Sequence, residues 1–104
     1  MLIQVNTDNN LKGREETASL VRSRVEGAVA HFRDRITRIE VHLSDTNSHK
    51  STADDIRCVL EARLAGLQPI AVTHQAATVE LAVNEAADKL QRLIESKLGR
   101  LQDR

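Results

Sequence analysis

Aromatic residues are almost missing from this chain of 104 residues: Phe32 stands alone, with no Trp and no Tyr. Recognition of single-stranded RNA by stacking bases on aromatic platforms is therefore close to excluded. Cysteine occurs once, at Cys58, so no intramolecular disulfide can form and a reducing cytoplasm is the expected compartment. Gly13, Gly27, Gly66 and Gly99 are isolated from one another, so no glycine-rich phosphate loop is present. No apolar run approaches the roughly 18 residues that a membrane helix needs. The opening MLIQVNTDNN has neither a basic stretch nor an apolar core, and it is not expected to act as a secretory signal. Net charge is also missing, because 15 Lys and Arg balance 15 Asp and Glu. Bulk attraction to nucleic acid finds no support there. Any binding to phosphate must come from local segregation of charge.

What is present fits one domain, residues 1–104. Apolar residues make up 40% of the chain. A domain of this size hides about two-thirds of its unfolded surface. That allows one compact core and leaves little room for a deep catalytic cavity.

The periodicity changes along the chain. LIQVN, residues 2–6, alternates apolar and polar side chains and predicts a strand. Ala18, Val21, Val25, Val29 and Phe32 recur at helical spacing and predict a helix over 14–32. ITRIEVHLS, residues 36–44, alternates again, with Ile39, Val41 and Leu43 opposite Arg38, Glu40 and His42. DTNSHKSTADD, residues 45–55, is polar and turn-rich, as a mobile loop is. IRCVLEARLA, residues 56–65, places Ile56, Cys58, Leu60, Ala62 and Leu64 on one face. GLQ turns the chain into a last strand over 69–76, whose leading Pro69 suits an edge or first position. A second helix starts near Thr78, its expected N-cap, and runs almost to the end. Its apolar stripe is Val83, Ala87, Leu90, Ile94, Leu98 and Leu101.

The order β-α-β-β-β-α predicts an α+β fold, a four-stranded sheet with two helices packed on one face. The other face is expected to be wet and to carry Arg38, Glu40, His42, Arg57, Glu61 and Arg63.

Catalytic and metal chemistry has no foothold in the pattern. His31, His42, His49 and His74 lack metal-ligand spacing, and Cys58 has no neighbouring partner. Cys58 reads as a small buried hydrophobe, and Asp54 with Asp55 as a solvating pair at a strand end. No catalytic residue, metal site, cofactor or small-molecule substrate is assigned.

The charges of the helices are better organised than their sum. At about 100° per residue, Lys89, Arg92 and Arg100 fall on one flank of the second helix, with Asp88, Gln91 and Glu95 on the other. The stripe of the first helix is flanked by Arg24 and His31, with Gly27 between them; the opposite flank mixes Glu15, Arg22, Glu26 and Arg33. With the helices side by side, the Arg24 flank and the Lys89/Arg92 flank are expected to join across the interhelical groove as a two-part phosphate grip. A plainer explanation competes. Glu85–Lys89 and Asp88–Arg92 are i, i+4 pairs, each worth about 0.2–0.5 kcal/mol to an exposed helix, and basic residues near a helix C-terminus suit its dipole.

FRDRITRIEVHLSD, RCVLEARLAGLQPIAVTH and AADKLQRLIESKLGRLQDR, in this order of elements, resemble the bacterial ribosome hibernation promoting factor family. That family is also called the sigma-54 modulation protein family and includes the ribosome-associated inhibitor A group. The resemblance covers nearly the whole chain and a short form of the family. It implies a cytoplasmic, non-catalytic protein that binds the small ribosomal subunit and its RNA in stress or stationary phase. There it blocks the channel of messenger and transfer RNA. A separate ribosome modulation factor is a further implied partner. Lys89 and Arg92 match the family's DKL-x-R pattern, and Arg24 matches a basic position on the first helix. Gly27 and Glu80 depart from the family, which often has a basic residue and an aromatic there. The expected RNA-binding residues are Arg24, Lys89, Arg92 and Arg100. Lys97 lies nearer the apolar boundary, and Arg38, Arg57 and Arg63 are secondary candidates. A protein-interaction module that kept the fold and lost RNA binding remains the alternative, favoured by the zero net charge, Gly27 and Glu80.

Overall fold

The structure, a computed structural model, describes residues 1–8, 14–46 and 55–102. Its elements are β1 (Leu2–Thr7), α1 (Arg14–Ala28), a 3-10 turn (Ala30–Phe32), β2 (Ile36–Asp45), β3 (Ile56–Leu64), β4 (Ile70–Ala76) and α2 (Val79–Gln102). The strands lie side by side in the order β1-β2-β3-β4. β1 runs parallel to β2, across the α1 crossover, and the other neighbours are antiparallel. The fold is the expected α+β arrangement.

Alternation decides which face is covered. Ile39, Val41 and Leu43 of β2 and Ile56, Cys58, Leu60, Ala62 and Leu64 of β3 are buried. The helices cover that face: α1 packs on β1 and on α2, and α2 packs on β3 and β4. Val21, Val25 and Val29 of the first apolar stripe are fully buried, as are Leu90 and Ile94 of the second. No polar or charged residue is buried in this core among the described residues.

The helix boundaries follow local chemistry. Thr78 caps α2, its Oγ1 accepting from the Leu81 amide at 3.1 Å, which satisfies one of the orphan donors of a first turn. The first helix ends earlier than its apolar spacing predicts. After Ala28 the hydrogen bonds tighten, with Phe32 N donating to Val29 O at 2.9 Å and Arg35 N to Phe32 O at 2.8 Å. This winding swings the chain into β2 while Phe32 stays against the core. His31 therefore does not continue the α1 flank that holds Arg24. Between β3 and β4, Gly66 takes φ 77°, a left-handed conformation that L side chains adopt at a cost. Most of the loop expected at 45–55 lies outside the described residues. Its described ends are tied, the Thr46 amide and hydroxyl both donating to the Asp55 carbonyl.

Candidate nucleic-acid interface

The wet face of the sheet is where alternation puts it, and its charges are largely matched. Arg38 lies opposite Arg63, and Glu40 opposite Glu61, across β2 and β3. Like charges directly opposite repel, and each arginine turns to the carboxylate two residues along its own strand. Arg38 reaches Glu40 at 2.7 Å and also donates to Gln4 of β1. Arg63 sits 3.8 Å from Glu61. Arg57 is exposed, lies between Ser44 and Gln75 in the sheet register, and forms no ion pair among the described residues. Two of the three secondary candidates are thus already neutralised by neighbours.

The helical candidates divide. Arg24, on α1, donates to Glu80 Oε1 at 2.9 Å and to Asn84 Oδ1 at 3.3 Å. Both acceptors are on the first turns of α2, and the pair is partly exposed, at 44% for Arg24 and 57% for Glu80. Lys89 instead donates to the Thr73 carbonyl of the edge strand β4 at 3.1 Å. Nine positions separate Glu80 from Lys89, which at about 100° each puts them on opposite sides of α2. The expected junction of the Arg24 flank with the Lys89/Arg92 flank across the interhelical groove does not form. The flank of α2 that meets α1 carries Glu80 and Asn84. The Lys89 flank faces outward, past β4.

Arg92 is exposed and stands at the margin of this outer flank, bordering a shallow depression with Asp88, Gln91 and Glu95. It forms no ion pair among the described residues, and neither helix-stabilising pair of the sequence pattern is made. Lys97 is half-buried, in keeping with its place near the apolar boundary. Arg100 belongs to α2, but its side chain lies outside the described residues.

Several contacts were not legible from spacing. Glu80 and Asn84 are partners of Arg24 across 56 and 60 positions of sequence, and the Thr73 carbonyl is a backbone group. Arg22 and Arg33, read as part of a mixed flank, line a crevice of about 300 Å³ with Met1, Leu2, Ile3 and Glu26. There Arg33 lies 3.7 Å from Glu26. The alternating strand at 2–6 and the α1 flank were both visible in sequence, but not their meeting.

Comparison with known proteins adds to this geometry. A family model described as sigma 54 modulation protein / S30EA ribosomal protein matches residues 3–102. Among solved structures, the chain is similar to the N-terminal domain of Thermus thermophilus Protein Y, with a TM-score of 0.65 and 20% identity over 92% of this chain and 98% of that one. It is also similar to a ribosomal subunit interface protein from Coxiella burnetii, with a TM-score of 0.64 and 16% identity over 100% of both chains. At such identities the two likenesses are likenesses of fold. No curated protein matches the sequence.

Proposed function

The chain belongs to the sigma 54 modulation protein / S30EA ribosomal protein family, and from that premise we propose that it binds the RNA of the small ribosomal subunit and represses translation in stress or stationary phase. It acts by occupancy and performs no chemistry. The site of action is the channel where messenger and transfer RNA would sit, in the cytoplasm, with a ribosome modulation factor as a candidate co-partner. The observation that carries this reading is the family match along residues 3–102.

The outer flank of α2 supplies the means. Lys89 and Arg92 are exposed there, and neither is held by a carboxylate among the described residues. Lys89 spends one of its three donors on the Thr73 carbonyl and keeps the others for phosphate. Arg100 and Lys97 extend the same helix, and Arg57 is the sheet residue with an unspent charge. Each phosphate neutralised releases about one counterion, so binding of this kind weakens steeply with salt.

The test is co-sedimentation of the purified protein with small subunits at about 50 and 200 mM salt, a range over which phosphate contacts fade. Wild type is expected to pellet at the lower salt and to be released at the higher. The Lys89→Glu/Arg92→Glu protein is expected to stay in the supernatant at both, with an unchanged circular dichroism spectrum. Undiminished pelleting of that variant refutes the grip assigned to α2.

A second reading has its own observation. Arg24, Arg38 and Arg63 are each engaged by a carboxylate, as expected of a protein-interaction module that kept this fold without RNA binding. A partner bound equally well at both salt concentrations decides for it.

A further inference from the structure

We infer that Glu80 acts as a built-in competitor for phosphate, holding Arg24 back from a second RNA contact on the side of α2 that meets α1, apart from the Lys89/Arg92 flank. The inference rests on the reading of the chain as an RNA-binding protein and adds a residue that sets its affinity.

The geometry has three parts. The Arg24 Nη2 donates to Glu80 Oε1 at 2.9 Å, a charge-assisted hydrogen bond of ordinary length. Its Nη1 donates to Asn84 Oδ1 at 3.3 Å. Both members of the ion pair stay partly exposed, 44% and 57%, so the guanidinium lies at the surface with a carboxylate oxygen where a phosphate oxygen would bind. Asn84 is neutral and orients Arg24 without satisfying its charge. Glu80 does both. An incoming phosphate must displace that carboxylate and gains only the difference between two similar anions.

The displaced interaction is an exposed pair, and such pairs are weak. Removing the carboxylate therefore frees Arg24 without threatening the fold. It also adds one cation to the set that can release counterions, which steepens the salt dependence. In Glu80→Ala, nothing at position 80 can accept from Arg24, while Asn84 still holds the guanidinium in place.

The experiment measures affinity for purified small ribosomal subunits across a series of salt concentrations. Wild type, Glu80→Ala, Arg24→Gln and the double variant are compared. Glu80→Ala is expected to bind about two- to fivefold more tightly at low salt, the range that an exposed ion pair spans. Its slope of log affinity against log salt is expected to steepen by about 0.7–0.9, the value for one added phosphate contact. Arg24→Gln is expected to differ from wild type by less than about twofold, because its charge is already spent on Glu80. The double variant is expected to lose the whole gain of Glu80→Ala.

A gain that persists in the Arg24→Gln background is a general effect of removing a negative charge, and it overturns the inference. So does wild-type binding with no gain on Glu80→Ala. In both cases the reading of the protein as RNA-binding stands. Absence of binding by all four proteins overturns that reading together with this one.

Discussion

The buried thiol gives a quantitative test of the core. Cys58 lies near the start of β3, opposite Leu43 on one side and His74 on the other, and it is fully buried. Burial among apolar neighbours disfavours the thiolate and pushes the thiol from 9.0 up to about 12. In the unfolded chain the same group ionises near its ordinary value. Between about pH 9 and pH 12 the unfolded state therefore holds fewer protons than the folded one. Stability from this group is fully present below the unfolded value and falls as pH rises, by about 1.4 kcal/mol per unit. At pH 10.5 the loss is on the order of 2 kcal/mol. Cys58→Ala has no such proton to lose, and the two proteins share every other ionisable group. Denaturant unfolding of both at pH 8 and pH 10.5 isolates the effect. Wild type should lead by the packing of the sulfur at pH 8, and that lead should shrink by about 2 kcal/mol at pH 10.5. Native wild type should also react with thiol reagents at pH 8 at least about a thousandfold more slowly than the unfolded chain, from its thiolate fraction alone. A stability gap that ignores pH, or native labelling as fast as unfolded labelling, refutes the burial of Cys58.

Two further substitutions test the docking of α2. Leu90 is fully buried in the helix that covers β3 and β4, so Leu90→Ala should cost about 2–5 kcal/mol in denaturant unfolding. A cost below about 1 kcal/mol would mean that the helix does not rest on the sheet as described. Thr78→Ala removes the acceptor for the Leu81 amide and should lower stability by about 1 kcal/mol, read as a drop in Tm, with Thr78→Ser keeping most of it.

Most of the fold was written in alternation. From Ile39 onward in β2, past a register irregularity after Ile36, and along β3 from Ile56 to Leu64, the buried apolar set occupies every second position. One physical signal, the pleat of a strand with one covered side, gave both the element and its orientation. The end of α1 was hidden for a related reason. Val29 and Phe32 continue the apolar stripe, and both contact the core, yet the backbone changes from α to 3-10 winding between them. Side-chain spacing reports which residues face inward and is nearly blind to a tightening of the last turn. The basic flank of α2 was equally visible as a flank, since 100° steps need only the sequence. Its direction in space was not. That depends on α1 lying over β1 and α2 over β3 and β4, an arrangement fixed by tertiary packing. The strand order and the right-handedness of β-α-β crossovers held some of this information, because they fix where α1 sits relative to the sheet.

That arrangement explains how a chain with no net charge can still present cations. On the sheet, Arg38 and Arg63 are answered by Glu40 and Glu61 along their own strands, and the cross-strand neighbours are of like charge. Turning these two arginines along their strands relieves both repulsions at once and leaves Arg57 as the cation of that face without an ion pair among the described residues. On and beside α1, Arg24 is answered by Glu80, and Arg33, just past the 3-10 turn, by Glu26 of α1. On the outer flank of α2 the described cations are held differently. Among the described residues Lys89 has only a backbone carbonyl for a partner, which orients the ammonium without cancelling its charge, and Arg92 borders carboxylates without forming an ion pair with any of them. Neutrality of the whole is therefore compatible with attraction at one edge, because exposed charges farther away than about 8–10 Å are screened from a bound phosphate at physiological salt. The quantity that governs RNA affinity is the number of cations left unspent at the contact. Glu80 matters because it sits beside a cation that would otherwise offer a second contact, on the other side of α2 from Lys89.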